Sequence, residues 1–88
     1  MLYHVDISPA AQRQARRIPK NNVRRIRDSV RALRDDPRPT GCVKLSGYDS
    51  VWRIRVGDYR VAYEIFDTER KIMILRISRR GERTYRRL

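Results

Sequence analysis

From Val51 to Glu64 apolar and polar residues alternate at period two, and the run is broken at its middle by Gly57-Asp58. Alternation at that period predicts strands, and a two-residue break containing glycine predicts a hairpin turn between them. Such a turn fixes the register, with Val56 opposite Tyr59, Arg55 opposite Arg60, Ile54 opposite Val61 and Trp52 opposite Tyr63. Trp52, Ile54, Val56, Tyr59, Val61 and Tyr63 then form one apolar face. Arg53, Arg55 and Arg60 share the other face with Ala62 and Glu64.

The rest of the chain supplies what that sheet needs. Tyr3 to Ile7 alternates and reads as a first strand; Ser8-Pro9 then opens a helix, serine as N-cap and proline in the first helical position. Ala11, Ala15 and Ile18 fall on one side of this helix, and Pro19 ends it. Asn21 or Asn22 is expected to cap a second helix, whose apolar residues Val23, Ile26, Val30 and Leu33 recur at spacings of three and four. Its other face carries Arg24, Arg25, Arg27, Arg31 and Arg34. Asp35-Asp36-Pro37 stops it, Cys42 to Leu45 forms a second strand, Asp67-Thr68-Glu69-Arg70 makes a turn, and Lys71 to Ser78 forms the last strand. The order βααββββ predicts a single α+β domain over residues 1–88, an N-terminal helical hairpin packed on an antiparallel sheet.

Charge narrows the function classes. The 88 residues hold 22 Lys+Arg against 10 Asp+Glu, a net charge of +12, which points to a polyanionic partner. Arginine predominates, and its planar fork pairs bidentately with phosphate and stacks on bases, favouring nucleic acid. No apolar run reaches the roughly 20 residues that span a bilayer, and no segment resembles a signal peptide, so neither a membrane nor export is expected. A single cysteine, Cys42, leaves no intramolecular disulfide or cysteine-based zinc cluster, and a cytoplasmic setting fits.

The arginine face is the sharpest chemical signal. Like charges directly across a ladder cost a few tenths to about 1 kcal/mol, and nothing in folding requires Arg55 against Arg60. Beyond the last strand, Arg79, Arg80, Arg83 and Tyr85 lie close enough in sequence to return across that face, where an aromatic ring among arginines can stack on a base. His4 is the only histidine, which excludes a two-histidine ribonuclease mechanism, and Asp58, Glu64, Asp67 and Glu69 lack metal-ligand spacing. No metal or cofactor is expected. Trp52 and Tyr63 read as a core cross-strand pair.

Three stretches, "ISPAAQRQARRIP", "VKLSGYDSVWRIRVGDYRVAYEI" and "ILRISRRGERTYRRL", resemble the RelE branch of the RelE/ParE superfamily of toxins over nearly the whole chain. The resemblance implies a microbial ribonuclease-like fold and a ribosome-dependent endoribonuclease that cuts mRNA in the A site of the 70S ribosome by metal-free 2′-OH attack. It also implies a cognate antitoxin that forms a heteromeric complex with the toxin. By position, Arg53 and Arg55 stand where well-known members have lysines, Arg60 matches a phosphate-binding arginine, Tyr85 a C-terminal tyrosine, and Arg80, or Arg79 beside it, a further active-site arginine. Lys44, Arg79 and Arg83 are expected to bind RNA, whereas Ser46 replaces a family arginine. Arginine stays protonated and serves poorly as a base, which leaves Tyr85 or Asp58 for proton transfer. Two other readings remain: a ParE-like toxin acting on DNA gyrase, and an inactive basic RNA-binding module.

Overall fold

The computed structural model describes residues 2–80. Strand β1 (His4–Ile7) leads into helices α1 (Pro9–Arg16) and α2 (Lys20–Ala32), followed by strands β2 (Val43–Lys44), β3 (Val51–Val56), β4 (Tyr59–Phe66) and β5 (Lys71–Arg79). The sheet order is β1-β5-β4-β3-β2. Strands β2 to β5 form the expected antiparallel meander, whereas β1 pairs parallel with β5, placing His4 beside Lys71 and Ile7 beside Ile74. The sheet is therefore mixed; a parallel neighbour requires a long connection, and everything from α1 to β4 lies between the two strands.

The hairpin register is the one that alternation and the two-residue turn predict, including Arg55 against Arg60 and Trp52 against Tyr63. Gly57 adopts φ +59, which an L side chain rarely accepts, as the first central residue of the turn. The core lies between helices and sheet: Ile26, Val30 and Leu33 of α2 pack with Ile54, Val56, Val61, Tyr63, Ile72 and Ile74.

Helix α1 begins as expected. The Ser8 hydroxyl accepts from the Ala11 N–H at 3.1 Å and donates to the Leu75 carbonyl at 3.0 Å, so the cap also fastens α1 to β5 where β1 ends. Helix α2 departs from expectation. Its N-cap is Pro19, not Asn21 or Asn22, and no side chain caps it. The Pro19 carbonyl accepts from both Asn22 and Val23, so the short link between the helices already supplies the first helical turn. Strand β2 is shorter than the expected Cys42 to Leu45, although the Leu45 N–H still bonds the Val51 carbonyl.

A second departure controls where the basic residues of β5 point. The β4–β5 register slips between Ala62 and Tyr63, so that Tyr63 pairs with Ile74 but Ala62 pairs with Arg76, and Leu75 is the extra residue. Simple alternation from Ile72 and Ile74 would send Arg76 and Ser78 toward the helices. The bulge reverses that parity: Ile77 and Arg79 take the helix side, and Arg76 and Ser78 the opposite side.

Candidate nucleic-acid interface

Two rows of residues cross the sheet face opposite the helices. Arg53, Ala62 and Arg76 form one row, and Arg55, Arg60 and Ser78 form the next toward the hairpin turn. Residues directly opposed on neighbouring strands hold their Cβ atoms about 4.5–5.5 Å apart, so the Arg55 and Arg60 side chains rise from the sheet as close neighbours. Arg53, Arg60 and Arg76 are half-buried along their length, and Arg55 is exposed.

Arg80 completes this group. Its N–H donates to the Asp58 carbonyl at 2.7 Å, tying the chain beyond β5 to the hairpin turn. Arg55, Gly57, Asp58, Tyr59, Arg60 and Arg80 together line a concavity of about 140 Å³ at the hairpin apex. None of the ion pairs among the described residues involves Arg53, Arg55, Arg60, Arg76 or Arg80. Guanidinium groups that outnumber the nearby carboxylates and form no ion pair with them hold a local positive potential, and a phosphate entering finds donors already assembled. Among the described residues no group of three His, Cys, Asp or Glu side chains could hold a metal ion, and His4 is engaged with Asp6 at 2.9 Å on the far edge of the sheet.

The residues expected from sequence divide accordingly. Arg53, Arg55, Arg60 and Arg80 share one face. Lys44 pairs with Trp52 and so stands on the opposite side of the sheet; Arg79 pairs with Tyr59 and also takes the helix side. Of Arg79 and Arg80, only Arg80 lines the concavity with Arg55 and Arg60. Arg83 and Tyr85 lie outside the described residues. Arg76 is the member of the face that sequence reasoning missed. Its signal was the extra residue in β5, which alternation alone cannot reveal.

The far end of the sheet is organised differently. Arg38 donates to both carboxylate oxygens of Asp67, at 2.8 and 3.3 Å, while the Tyr3 hydroxyl donates to Asp67 at 2.7 Å. Arg38 also lies over the Trp52 ring, 5.2 Å from its centroid. The bond from Arg38, with that from Tyr3, holds the Asp67 carboxyl below its ordinary range. Burial raises the Tyr63 hydroxyl above its usual range, and it donates to the Pro37 carbonyl at 2.7 Å.

A family model described as the ParE toxin of type II toxin-antitoxin systems, parDE, matches residues 5–84. A Methanocaldococcus jannaschii protein described as a candidate toxin RelE1 is 30% identical over 83 residues, spanning 91% of this chain and 92% of that protein. The chain belongs to the RelE/ParE toxin family. Among solved structures, this toxin is similar to the archaeal RelE–RelB complex from Pyrococcus horikoshii OT3, with a TM-score of 0.83 and 31% identity over 93% of this chain and 99% of that one. The intact E. coli RelBE toxin–antitoxin complex shares the fold, with a TM-score of 0.78 at 19% identity over 92% of the toxin and 99% of that chain. Among the described residues, no helix of the toxin is long and apolar enough to cross a membrane.

Proposed function

We propose that this toxin is a ribosome-dependent endoribonuclease that cleaves mRNA in the ribosomal A site, without a metal ion, and is restrained by a cognate antitoxin. The observation that carries the reading is the opposed pair Arg55/Arg60, with Arg80 beside it, around the concavity at the hairpin apex.

Cleavage by the 2′-OH requires that hydroxyl to be deprotonated and in line with the phosphate, the extra negative charge to be neutralised, and the 5′-oxygen leaving group to be stabilised. Arg55, Arg60 and Arg80 are suited to the charge, and Arg53 and Arg76 to the flanking backbone. The product would be a 2′,3′-cyclic phosphate or its opened 3′-phosphate. Proton transfer falls to Tyr85 or to Asp58, which lines the same concavity. Tyr85→Phe is expected to slow single-turnover cleavage by about 10² or more; an unchanged rate, with loss in Asp58→Asn, assigns the role to the turn. A face with no conventional base cluster depends on orientation, which a ribosome holding the codon can supply.

The antitoxin reading is supported by the relatives solved as RelE–RelB complexes. The family model's description, which names a parDE toxin, favours a second reading in which the protein acts on DNA gyrase. Primer extension separates the two. Breaks confined to the A-site codon of an mRNA threaded through ribosomes, and absent in Arg60→Ala, support the nuclease; intact mRNA together with inhibited supercoiling by gyrase supports the alternative.

A further inference from the structure

On the helix side of the same hairpin apex lies a larger cleft of about 530 Å³ that uses none of the clustered arginines. This volume falls within the range of about 300–1,000 Å³ typical of small-molecule sites. Its walls come from the end of α1, the start of α2, the hairpin at Asp58 and Tyr59 and the end of β5, and its polar residues include Gln14, Arg17, Asn22, Asp58, Tyr59 and Arg79.

Three observations show a site equipped for a ligand. Tyr59 is only 7% exposed, and its hydroxyl, which has no hydrogen-bond partner among the described residues, is the part of the side chain left open to solvent. Arg17 and Arg79 are both exposed and take part in none of the ion pairs among the described residues. Gln14 is held in place because its Oε1 accepts the Ile77 N–H at 2.6 Å, which fixes the direction in which its amide NH₂ is presented. Beside the Asp58 carboxylate, which can accept from a ribose hydroxyl or a base N–H, two cations, two amides and a phenol match the parts of a nucleotide: phosphate on the guanidinium groups, base and ribose edges on the amides and hydroxyl.

The cleft and the arginine face meet at Asp58 and Tyr59, which line both. At the crossing, the Arg25 guanidinium of α2 lies against the turn; a β-carbon at Gly57 would stand 3.1 Å from its Nη1. Arg25 is three residues beyond Asn22 and so on the same side of α2. A single RNA strand passing over the apex therefore meets cationic groups on both sides of the hairpin and at its crest.

We propose that this cleft is a second nucleotide subsite, which holds one nucleotide of single-stranded RNA flanking the unit on the arginine face. The proposal rests on the reading of RNA as substrate given above. It assigns Arg79 and Arg17 to phosphate, and Gln14, Asn22 and the Tyr59 hydroxyl to the base and ribose.

The test is a titration of the isotopically labelled full chain with adenosine 5′-monophosphate and, separately, inorganic phosphate, followed by NMR at the Gln14 and Asn22 side-chain amides and the Tyr59 ring. The nucleotide is expected to shift all three and to bind more tightly than phosphate. The Arg17→Gln/Arg79→Gln double variant should weaken that binding by about tenfold. Tyr59→Phe, which removes only the hydroxyl, should weaken it about threefold, and Arg55→Gln/Arg60→Gln should leave these signals responsive. Shifts confined to residues around Arg55, Arg60 and Arg80 overturn the subsite and leave the arginine-face reading standing. Equal responses to phosphate and nucleotide mean an anion site only and also overturn it. A responsive cleft in a protein that cuts no mRNA on ribosomes supports the subsite and removes the nuclease reading instead.

Discussion

Where β4 turns into β5, Arg38 is bonded twice to Asp67, Asp67 also accepts from Tyr3, and Asp6 lies within 3.6 Å of Lys71. Where β3 turns into β4, at the other end of the same strands, Arg55, Arg60 and Arg80 take part in no ion pair among the described residues. Arginine serves both ends. At one it closes a network that fastens the segment between α2 and β2 to a turn and to the N-terminal strand; at the other it is kept available. Charge that stabilises a fold is compensated within the fold, whereas charge that serves a partner is left for that partner.

The sharpest way to break this contrast is Arg60→Ala. If the free end is functional, single-turnover cleavage on ribosomes should fall by about 10²–10³, the cost of removing one charge-stabilising donor. The thermal midpoint should not fall. A drop in stability with cleavage retained would mean that the two ends had been assigned the wrong way round.

Tyr63→Phe tests the other end. It removes the bond to the Pro37 carbonyl from a fully buried ring, and urea denaturation should show a loss of about 1 kcal/mol with cleavage unchanged. Because burial raises the hydroxyl's ionisation above its unfolded value, wild-type stability is full below about pH 10 and lost as pH rises beyond it. The phenylalanine variant should lack that part of the alkaline decline.

Asp67→Asn should have a smaller effect, recognisable by its pH dependence. The carboxyl is held low in the folded protein, so its stabilising contribution is full above about pH 4 and lost as pH falls through the folded value. Stability of the variant, followed by the emission of Trp52 beneath Arg38, should fall less steeply in acid. The smallest expected change has the opposite sign: Arg55→Thr relieves the cross-strand repulsion and should raise stability by a few tenths of a kcal/mol, at a cost in RNA binding.

Most of the fold was legible because its strongest signals are local. The Ser8-Pro9 start, the spacing of Ile26, Val30 and Leu33, and the Gly57-Asp58 break each act within a few residues, and each holds. Missed features depend on distant partners. Nothing within Tyr3 to Ile7 says that this strand joins β5 in parallel. The extra residue at Leu75 depends on how β5 meets β4, so the outward position of Arg76 and the separation of Arg79 from Arg80 could not be read from alternation. Lys44 was expected to bind RNA beside the arginines, and pairing with Trp52 sets it on the other side of the sheet. The second cap failed differently: the asparagines fit the preference for N-caps, but the proline carbonyl had already begun the helix.

The parallel pairing of β1 with β5 has a consequence for how the protein is made. Ser8 bonds Leu75, 67 residues further on, and Arg80 reaches the hairpin only after the last strand has been laid down. A nascent chain that has released everything up to β4 still lacks the partner of its first strand and the anchor of its first helix. Contacts of such long range close late and slowly, so the parallel edge of the sheet and the Arg76 and Arg80 part of the cationic face assemble only once β5 has left the translating ribosome.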